Sequence, residues 1–467
     1  MSHTASAPIA RARRLVRRHW LFAFVMAAGA ALRVVTMLAY QPALLGGADA
    51  NSYLDNAAAE DLKPLRARPI GYVAFLRTLP LHEQLWLVPL LQHALALAMA
   101  GAIYALLLRL GVLPWLAALA AAPVLLDGWQ LLLGQYVMSE TLYETLLLGG
   151  AAALLWRSRL SLGAAALAGL LFAGVALTRG NGIALFLPAL VAAVLLRARP
   201  PQLVAMVACF VIPVGAYAVW FESVYGVYGI TGYSGRFLYA RVAPFVDCSR
   251  LDMPARERVL CPEEPLSERR RVNWYMWSKD SPQYRLQEER WDATASFARR
   301  VIRAQPLDYA ETVLRSAVGG FAIRRGETEG ATPFENWRFQ AFYPTYKKRT
   351  AETLRAYGYR TGGRADPELA GFLRGYQAVV YPPGPLMALA LALGALGALG
   401  VGRARRSGLR TAAFLFSALG VVVLLTTVAV NALSWRYWAP ELVLLPPAGA
   451  LGLTALLGGR RPRPPSS

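Results

Sequence analysis

Charged residues, histidine and cysteine are all scarce in this chain. Only 16% of the 467 residues are charged, whereas a soluble domain averages about 25%. The 4 histidines and 3 cysteines form no cluster with metal-ligand spacing. Neither a phosphate-binding loop nor a dinucleotide-binding glycine pattern occurs, which argues against a nucleotide-driven machine. We therefore expect no metal site and no cofactor, although use of a divalent ion stays open.

Long apolar runs take the place of the missing charge, because 56% of the residues are hydrophobic. A helix needs roughly 20 apolar residues to cross about 30 Å of hydrocarbon. The sequence therefore predicts an all-α polytopic membrane protein with about ten transmembrane helices. These lie at residues 20–41, 85–108, 112–127, 137–156, 160–178, 182–197, 203–221, 379–400, 409–431 and 438–457.

The spans divide the chain into five predicted regions. They are a basic N-terminus (1–19), a transmembrane module (20–221) with a first outer loop (42–84), an outer lobe (222–378), C-terminal transmembrane helices (379–457) and a tail (458–467). The first outer loop is expected to hold two short helices at the membrane surface. The outer lobe is too long for a connector without structure and is expected to be largely helical.

Arginine is concentrated in alternate loops and at both ends of the chain. These segments contain no Asp or Glu, so they are assigned to the cytoplasm, with both termini there. The net charge of +21 is thus mostly a topology signal. A nucleic-acid partner explains it less well, because the arginines are scattered over short loops.

Polar residues gather at the predicted outer ends of the spans. Asp49 follows the first span, and Tyr53 lies one helical turn later on the same face. Glu140 opens the fourth span, Arg179 ends the fifth, and Arg436 precedes the last. Each has an ordinary alternative: Asp49 can cap a helix, and the others can be interfacial anchors. Their convergence on one membrane edge favours a shared site.

Two cysteines, Cys248 and Cys261, bracket a polar loop in the outer lobe. An oxidising compartment would permit a disulfide between them, and an unpaired arrangement stays open.

A reaction outside the cytoplasm has no nucleotide sugar available, so an activated group must arrive on a lipid. A polyprenyl-phosphate sugar suits a site with a carboxylate base and fixed cations for the leaving phosphate. Asp49 supplies the carboxylate, and Arg68, Arg179 and Arg436 are candidate cations.

Five motifs, in order along the chain, resemble those of the GT-C-type glycosyltransferases, especially the protein-mannosyltransferase and aminoarabinose-transferase branches. They are the pair Asp49 and Tyr53, then "RPIGYVAF", "MSETLY", "TRGNGIALFLPAL" and "WRYWAPELVLLP". The resemblance covers most of residues 20–200 and 430–450 and leaves out the outer lobe. One departure is Ala50, where many relatives carry a second acid, and this argues against a metal held by two adjacent acids.

The resemblance implies inverting sugar transfer from a polyprenyl-phosphate donor in the cell membrane, on the extracytoplasmic side. The acceptor would be a hydroxyl of a glycan, glycolipid or protein. Asp49 would be the general base, and Arg436, with Arg179 and Arg68, would bind the donor phosphate. Tyr53, Glu140 and Tyr437 would position the substrate. A transporter or flippase is the alternative, and a non-catalytic binding protein is a third hypothesis.

Overall fold

A computed structural model describes residues 6–45, 47–286, 290–328, 333–345 and 347–459. Residues 1–5 and 460–467 of the predicted cytoplasmic ends, together with Gly46, lie outside the described residues. Within the described part, the chain forms twenty α-helices, five short 3-10 helices and one pair of two-residue strands. The first ten α-helices are α1 Ser6–Ala39, α2 Gly47–Ala58, α3 Gly71–Arg77, α4 Leu87–Arg109, α5 Pro114–Leu126, α6 Gly128–Gln135, α7 Glu140–Leu155, α8 Leu162–Thr178, α9 Gly182–Leu195 and α10 Pro200–Tyr225.

The remaining elements belong to the outer lobe and the C-terminal membrane region. The helices are α11 Ser234–Val242, α12 Ala255–Arg258, α13 Val272–Trp277, α14 Arg290–Ala304, α15 Pro306–Gly319, α16 Lys347–Ala356, α17 Pro367–Val379, α18 Gly384–Leu399, α19 Arg410–Val430 and α20 Ala439–Leu456. The strands β1 Tyr40–Gln41 and β2 Arg364–Ala365 pair antiparallel. The predicted all-α class, with two short helices in the first outer loop and a largely helical lobe, is confirmed.

Five helices of the described part are long and apolar enough to span a membrane, namely α1 over Arg17–Ala39, α4, α10, α19 and α20. The count rises to seven if two bent pairs, α5 with α6 and α17 with α18, are each one span. Asp127 lies at the first bend: its extended backbone ends α5, and its side chain accepts from the N–H groups of Trp129 and Gln130 in the first turn of α6. Ten spans therefore stay a prediction.

Small residues let the membrane helices approach closely. A Cβ atom added at Gly397 of α18 would lie 2.6 Å from the Cα of Gly452 in α20, closer than real Cβ contacts. The same addition at Gly169 of α8 would lie 2.1 Å from the carbonyl oxygen of Met206 in α10. In a bilayer the hydrophobic effect does not drive helices together, because lipid tails are as apolar as the side chains. Close packing at small residues therefore stabilises these helix pairs.

Hydrogen bonds join loops that were predicted to share a membrane side. On the predicted outer side, the Leu44 N–H donates to the Gln135 carbonyl at 2.9 Å, and the Val137 N–H donates back to Leu44 at 3.0 Å. On the predicted inner side, the Arg109 side chain donates to the Trp156 carbonyl. Loops of the same predicted side therefore meet, and the assignment of one side to the cytoplasm stays a prediction.

The outer lobe has its own core, in which Tyr239, Tyr275 and Phe297 are fully buried. In the same lobe, Cys248 and Cys261 form a disulfide with a Cα–Cα distance of 6.2 Å. The lobe contacts the membrane region through α11 and α15, which both pack on α19, and through α17, which packs on α1.

Candidate active site

Asp49 lies in the first turn of α2, just after the chain leaves α1. Its two carboxylate oxygens each accept a hydrogen bond from a different arginine. Arg68, from the loop between α2 and α3, donates at 2.7 Å, and Arg436 donates at 2.6 Å. The side chain of Asp49 is 23% exposed, so the carboxylate is partly open to its surroundings.

Arg436 lies in the turn between α19 and α20, and its guanidinium joins both acids of the site. Besides Asp49, it contacts Glu140, the first residue of α7, through its Nε atom. The same Glu140 oxygen accepts from Arg179 at 2.9 Å. A continuous chain of ion pairs thus runs from Arg68 to Arg179, and we call these five residues the charge network.

The charge network carries one net positive charge, because three arginines share two carboxylates. Glu140 and Arg436 are almost fully enclosed, with side chains 1% and 10% exposed. Charges interact more strongly in such surroundings than in water. Burial alone would raise the pKa of Asp49, but the charges of Arg68 and Arg436 outweigh burial and hold this pKa below its ordinary value.

Two tyrosines predicted to position the substrate lie against the arginines. The Tyr53 ring centre is 4.9 Å from the guanidinium carbon of Arg68, within cation–π range. The Tyr437 ring centre lies 5.0 Å from the guanidinium carbon of Arg179 and 5.6 Å from the guanidinium carbon of Arg436. Tyr53 therefore supports Arg68, and its hydroxyl donates to Ser139 at 3.3 Å.

The structure brings together all seven candidate site residues that the sequence analysis named, and it adds two aromatic residues. The Trp337 ring of the outer lobe lies 5.5 Å from the guanidinium carbon of Arg436. The ring centre of Tyr143, in α7, lies 5.5 Å from the guanidinium carbon of Arg179. Trp337 belongs to the aromatic segment "PFENWRFQAFYPTYKKR" of the outer lobe, in which core packing is the default interpretation and an interface or a sugar-stacking surface is the alternative. Tyr143 could have been chosen from its position one turn after Glu140.

A second buried ion pair ties the outer lobe to the junction of α5 and α6, and it lies against the turn that carries Arg436. Arg325 contacts the two Asp127 oxygens at 2.7 and 3.2 Å, and this arginine is 8% exposed. Three rings surround its guanidinium, those of Trp129, Tyr381 and Trp435 at 4.7, 5.1 and 5.4 Å. Trp435 directly precedes Arg436, so this pair helps to fix the position of the network arginine.

Two further acids lie deeper in the helix bundle. Glu144 accepts a hydrogen bond from the side chain of Gln130 at 2.5 Å. Glu441 is 1% exposed, and neither of its carboxylate oxygens has a hydrogen-bond partner among the described residues. Neither acid belongs to the charge network.

No group of three or more His, Cys, Asp or Glu side chains in the described part of the chain could hold a metal ion. The expectation of a metal-independent site stays a prediction.

Comparison with known proteins gives one structural likeness. No family model matches the chain, and no curated protein matches it. The chain is similar to the crystal structure of ArnT from Cupriavidus metallidurans bound to undecaprenyl phosphate, at 15% identity over 93% of this chain and 78% of that chain. The TM-score is 0.35. A likeness at this level carries no argument about function.

Proposed function

We propose that this protein is a membrane glycosyltransferase that moves a sugar from a polyprenyl phosphate to an acceptor hydroxyl, with inversion, on the extracytoplasmic side. The observation that carries the proposal is the charge network, with its excess of one arginine over the carboxylates. A cluster with one net positive charge suits a lipid phosphate, because arginine N–H groups bind phosphate oxygens through charge-assisted hydrogen bonds.

In the proposed complex, the donor phosphate competes with the carboxylates for the arginines. Arg436 and Arg68 currently bind the Asp49 oxygens. When they turn to the phosphate, Asp49 loses hydrogen bonds that stabilise its ionised form, and it becomes a stronger base. Donor binding therefore makes Asp49 a stronger base, and without donor Asp49 accepts the proton of the acceptor hydroxyl poorly.

The transfer step then needs only the groups already assembled. The Asp49 carboxylate accepts the proton of the acceptor hydroxyl as its oxygen forms a bond to the anomeric carbon. The bond from that carbon to the phosphate oxygen breaks, and the electron pair leaves with the phosphate. Arg436, with Arg179 and Arg68, stabilises the growing phosphate charge. Glu140 holds Arg179 and Arg436 at a fixed separation, because one of its oxygens accepts from both.

The test is transfer by purified full-length protein in detergent. A panel of polyprenyl-phosphate sugars, including hexosyl and pentosyl donors, is offered with membrane extract as the acceptor source. We expect release of free polyprenyl phosphate together with a glycosylated product. Asp49→Asn should abolish both while retaining binding of polyprenyl phosphate.

The same assay separates the transferase from a transporter. A transporter or flippase needs two compartments and would leave the donor intact in detergent. If the donor stays unconsumed with every sugar while the wild-type protein binds polyprenyl phosphate, the proposed transferase activity is wrong.

A further inference from the structure

A groove of about 610 Å³ opens beside the outer end of α1. Its walls come from α1, from the residues just after it, from Trp86 and from residues 359–364 of the outer lobe. None of the five residues of the charge network lines it. The groove is therefore separate from the site proposed for the donor phosphate.

The lower wall of the groove is apolar and faces the lipid side of a spanning helix. Val34 and Leu38, from the last turns of α1, are 58% and 55% exposed. The stretch of α1 that contains them has the length and hydropathy of a membrane span. Trp86, 43% exposed, lies where α4 begins, and tryptophan is enriched at the boundary between membrane and water. This wall suits an acyl chain lying along α1.

The upper rim of the groove is polar and cationic. Arg364 of β2 donates to the side-chain oxygen of Gln41 from its Nε atom at 2.9 Å and from Nη2 at 2.5 Å. These two bonds hold the guanidinium in place. They leave its Nη1 atom and the Gln41 amide nitrogen without a partner among the described residues. Thr361 adds a hydroxyl to the same rim, and no acidic side chain lines the groove.

We propose that this groove binds an anionic phospholipid of the bilayer. The acyl chain would lie against Val34 and Leu38, and the phosphate would accept hydrogen bonds from Arg364 and Gln41. The apolar wall suits the acyl chain of such a lipid, and the oriented guanidinium above it suits the phosphate. Because no acidic side chain lines the groove, an anionic head group is favoured over a head group that also carries a cation. The bound lipid would reinforce the pairing of β1 with β2, which ties the outer lobe to α1.

The test measures lipid binding to the full-length protein in detergent by native mass spectrometry. Phosphatidylglycerol and phosphatidylcholine are titrated separately. Both lipids offer a phosphate to Arg364, but phosphatidylcholine also brings a trimethylammonium cation close to the guanidinium. We therefore expect phosphatidylglycerol to bind about tenfold more tightly, which corresponds to about 1.4 kcal/mol. Arg364→Gln should reduce phosphatidylglycerol binding to the level of phosphatidylcholine. Arg360→Gln is the matched control, because Arg360 is exposed on the same segment and does not line the groove.

A second variant tests the apolar wall. Leu38→Trp fills the groove from an exposed position, so it should weaken binding of both lipids without affecting folding. Leu187→Trp, on the 66% exposed side chain of α9, is its control. The proposal is overturned if wild-type protein binds the two lipids equally, or if Arg364→Gln or Leu38→Trp binds phosphatidylglycerol like wild type.

Discussion

Arg436 is the residue on which the charge network depends most, because it is the only member that contacts both acids. Replacing it by glutamine removes one positive charge and two ion pairs. Breaking a buried ion pair typically costs about 3–5 kcal/mol when one partner stays behind. Glu140 keeps Arg179 and Asp49 keeps Arg68, so we expect the lower end of that range, about 3 kcal/mol of unfolding free energy.

The same substitution should weaken binding of polyprenyl phosphate. A hydrogen bond to a charged group contributes about 1.5–3 kcal/mol, which corresponds to a loss of roughly 10- to 100-fold in affinity. The measurements are thermal unfolding of the purified protein in detergent and a titration with polyprenyl phosphate. Arg436→Lys should recover part of the affinity, because lysine keeps the charge but cannot bridge two acids with a planar group.

Arg349→Gln provides the control. Arg349 forms an exposed ion pair with Asp55, which lies in α2, the helix that also carries Asp49. An exposed pair contributes about 0–1 kcal/mol, so stability and lipid affinity should hardly change. If Arg436→Gln matches this control in both measurements, the charge network neither stabilises the fold nor binds the phosphate, and the reasoning is refuted.

Three further predictions concern other parts of the molecule. The pKa of Asp49 is lower in the folded protein than in the unfolded chain, where it is about 4. The ionised Asp49 therefore contributes fully to stability above about pH 4, and this contribution is lost as the pH falls through the pKa of the folded state. The free energy of unfolding, measured from pH 7 to 3, should therefore begin to fall below about pH 4 in wild type by an amount that Asp49→Asn does not show, and identical pH profiles would contradict the ion pairing. Arg325→Met should cost about 3–5 kcal/mol in thermal unfolding, because the buried Asp127 carboxylate loses its counter-charge, and unchanged stability would show that this pair is dispensable. Replacing Cys248 and Cys261 by serine should cost the outer lobe about 2–3 kcal/mol and speed its proteolysis, and equal cleavage rates would argue against a stabilising disulfide.

Much of the site could be predicted because polar residues stand out against apolar spans. Asp49, Arg179 and Arg436 each follow or precede a long hydrophobic run, and the alternation of spans places all three at one membrane edge. Such a position is costly for a charge unless it has a partner or a ligand. Because successive spans alternate in direction, residues that are far apart along the chain but lie at the same ends of their spans come close in space.

The pairing within the site could not be predicted in the same way. Arg436 and Asp49 are separated by 387 residues, and only tertiary packing decides which acid each arginine meets. Periodicity gave no reason to expect that Glu140 would be shared by two arginines. The contact of Arg325 with Asp127 was missed as well, because Arg325 lies in the lobe, where no apolar run marks its depth. The third predicted span ends at residue 127, directly after α5, but residues 128–136 were left between spans and helix α6 was missed. That segment is too short to register as a span, although Asp127 caps it as the next helix.

The most direct test of the central claim is the position of the phosphate in a cryo-EM structure of the protein with polyprenyl phosphate. We predict that Arg436 and at least one of Arg68 and Arg179 contact phosphate oxygens, and that the Asp49 carboxylate has lost a hydrogen bond to arginine. A phosphate bound elsewhere, with the charge network unchanged, would contradict the account.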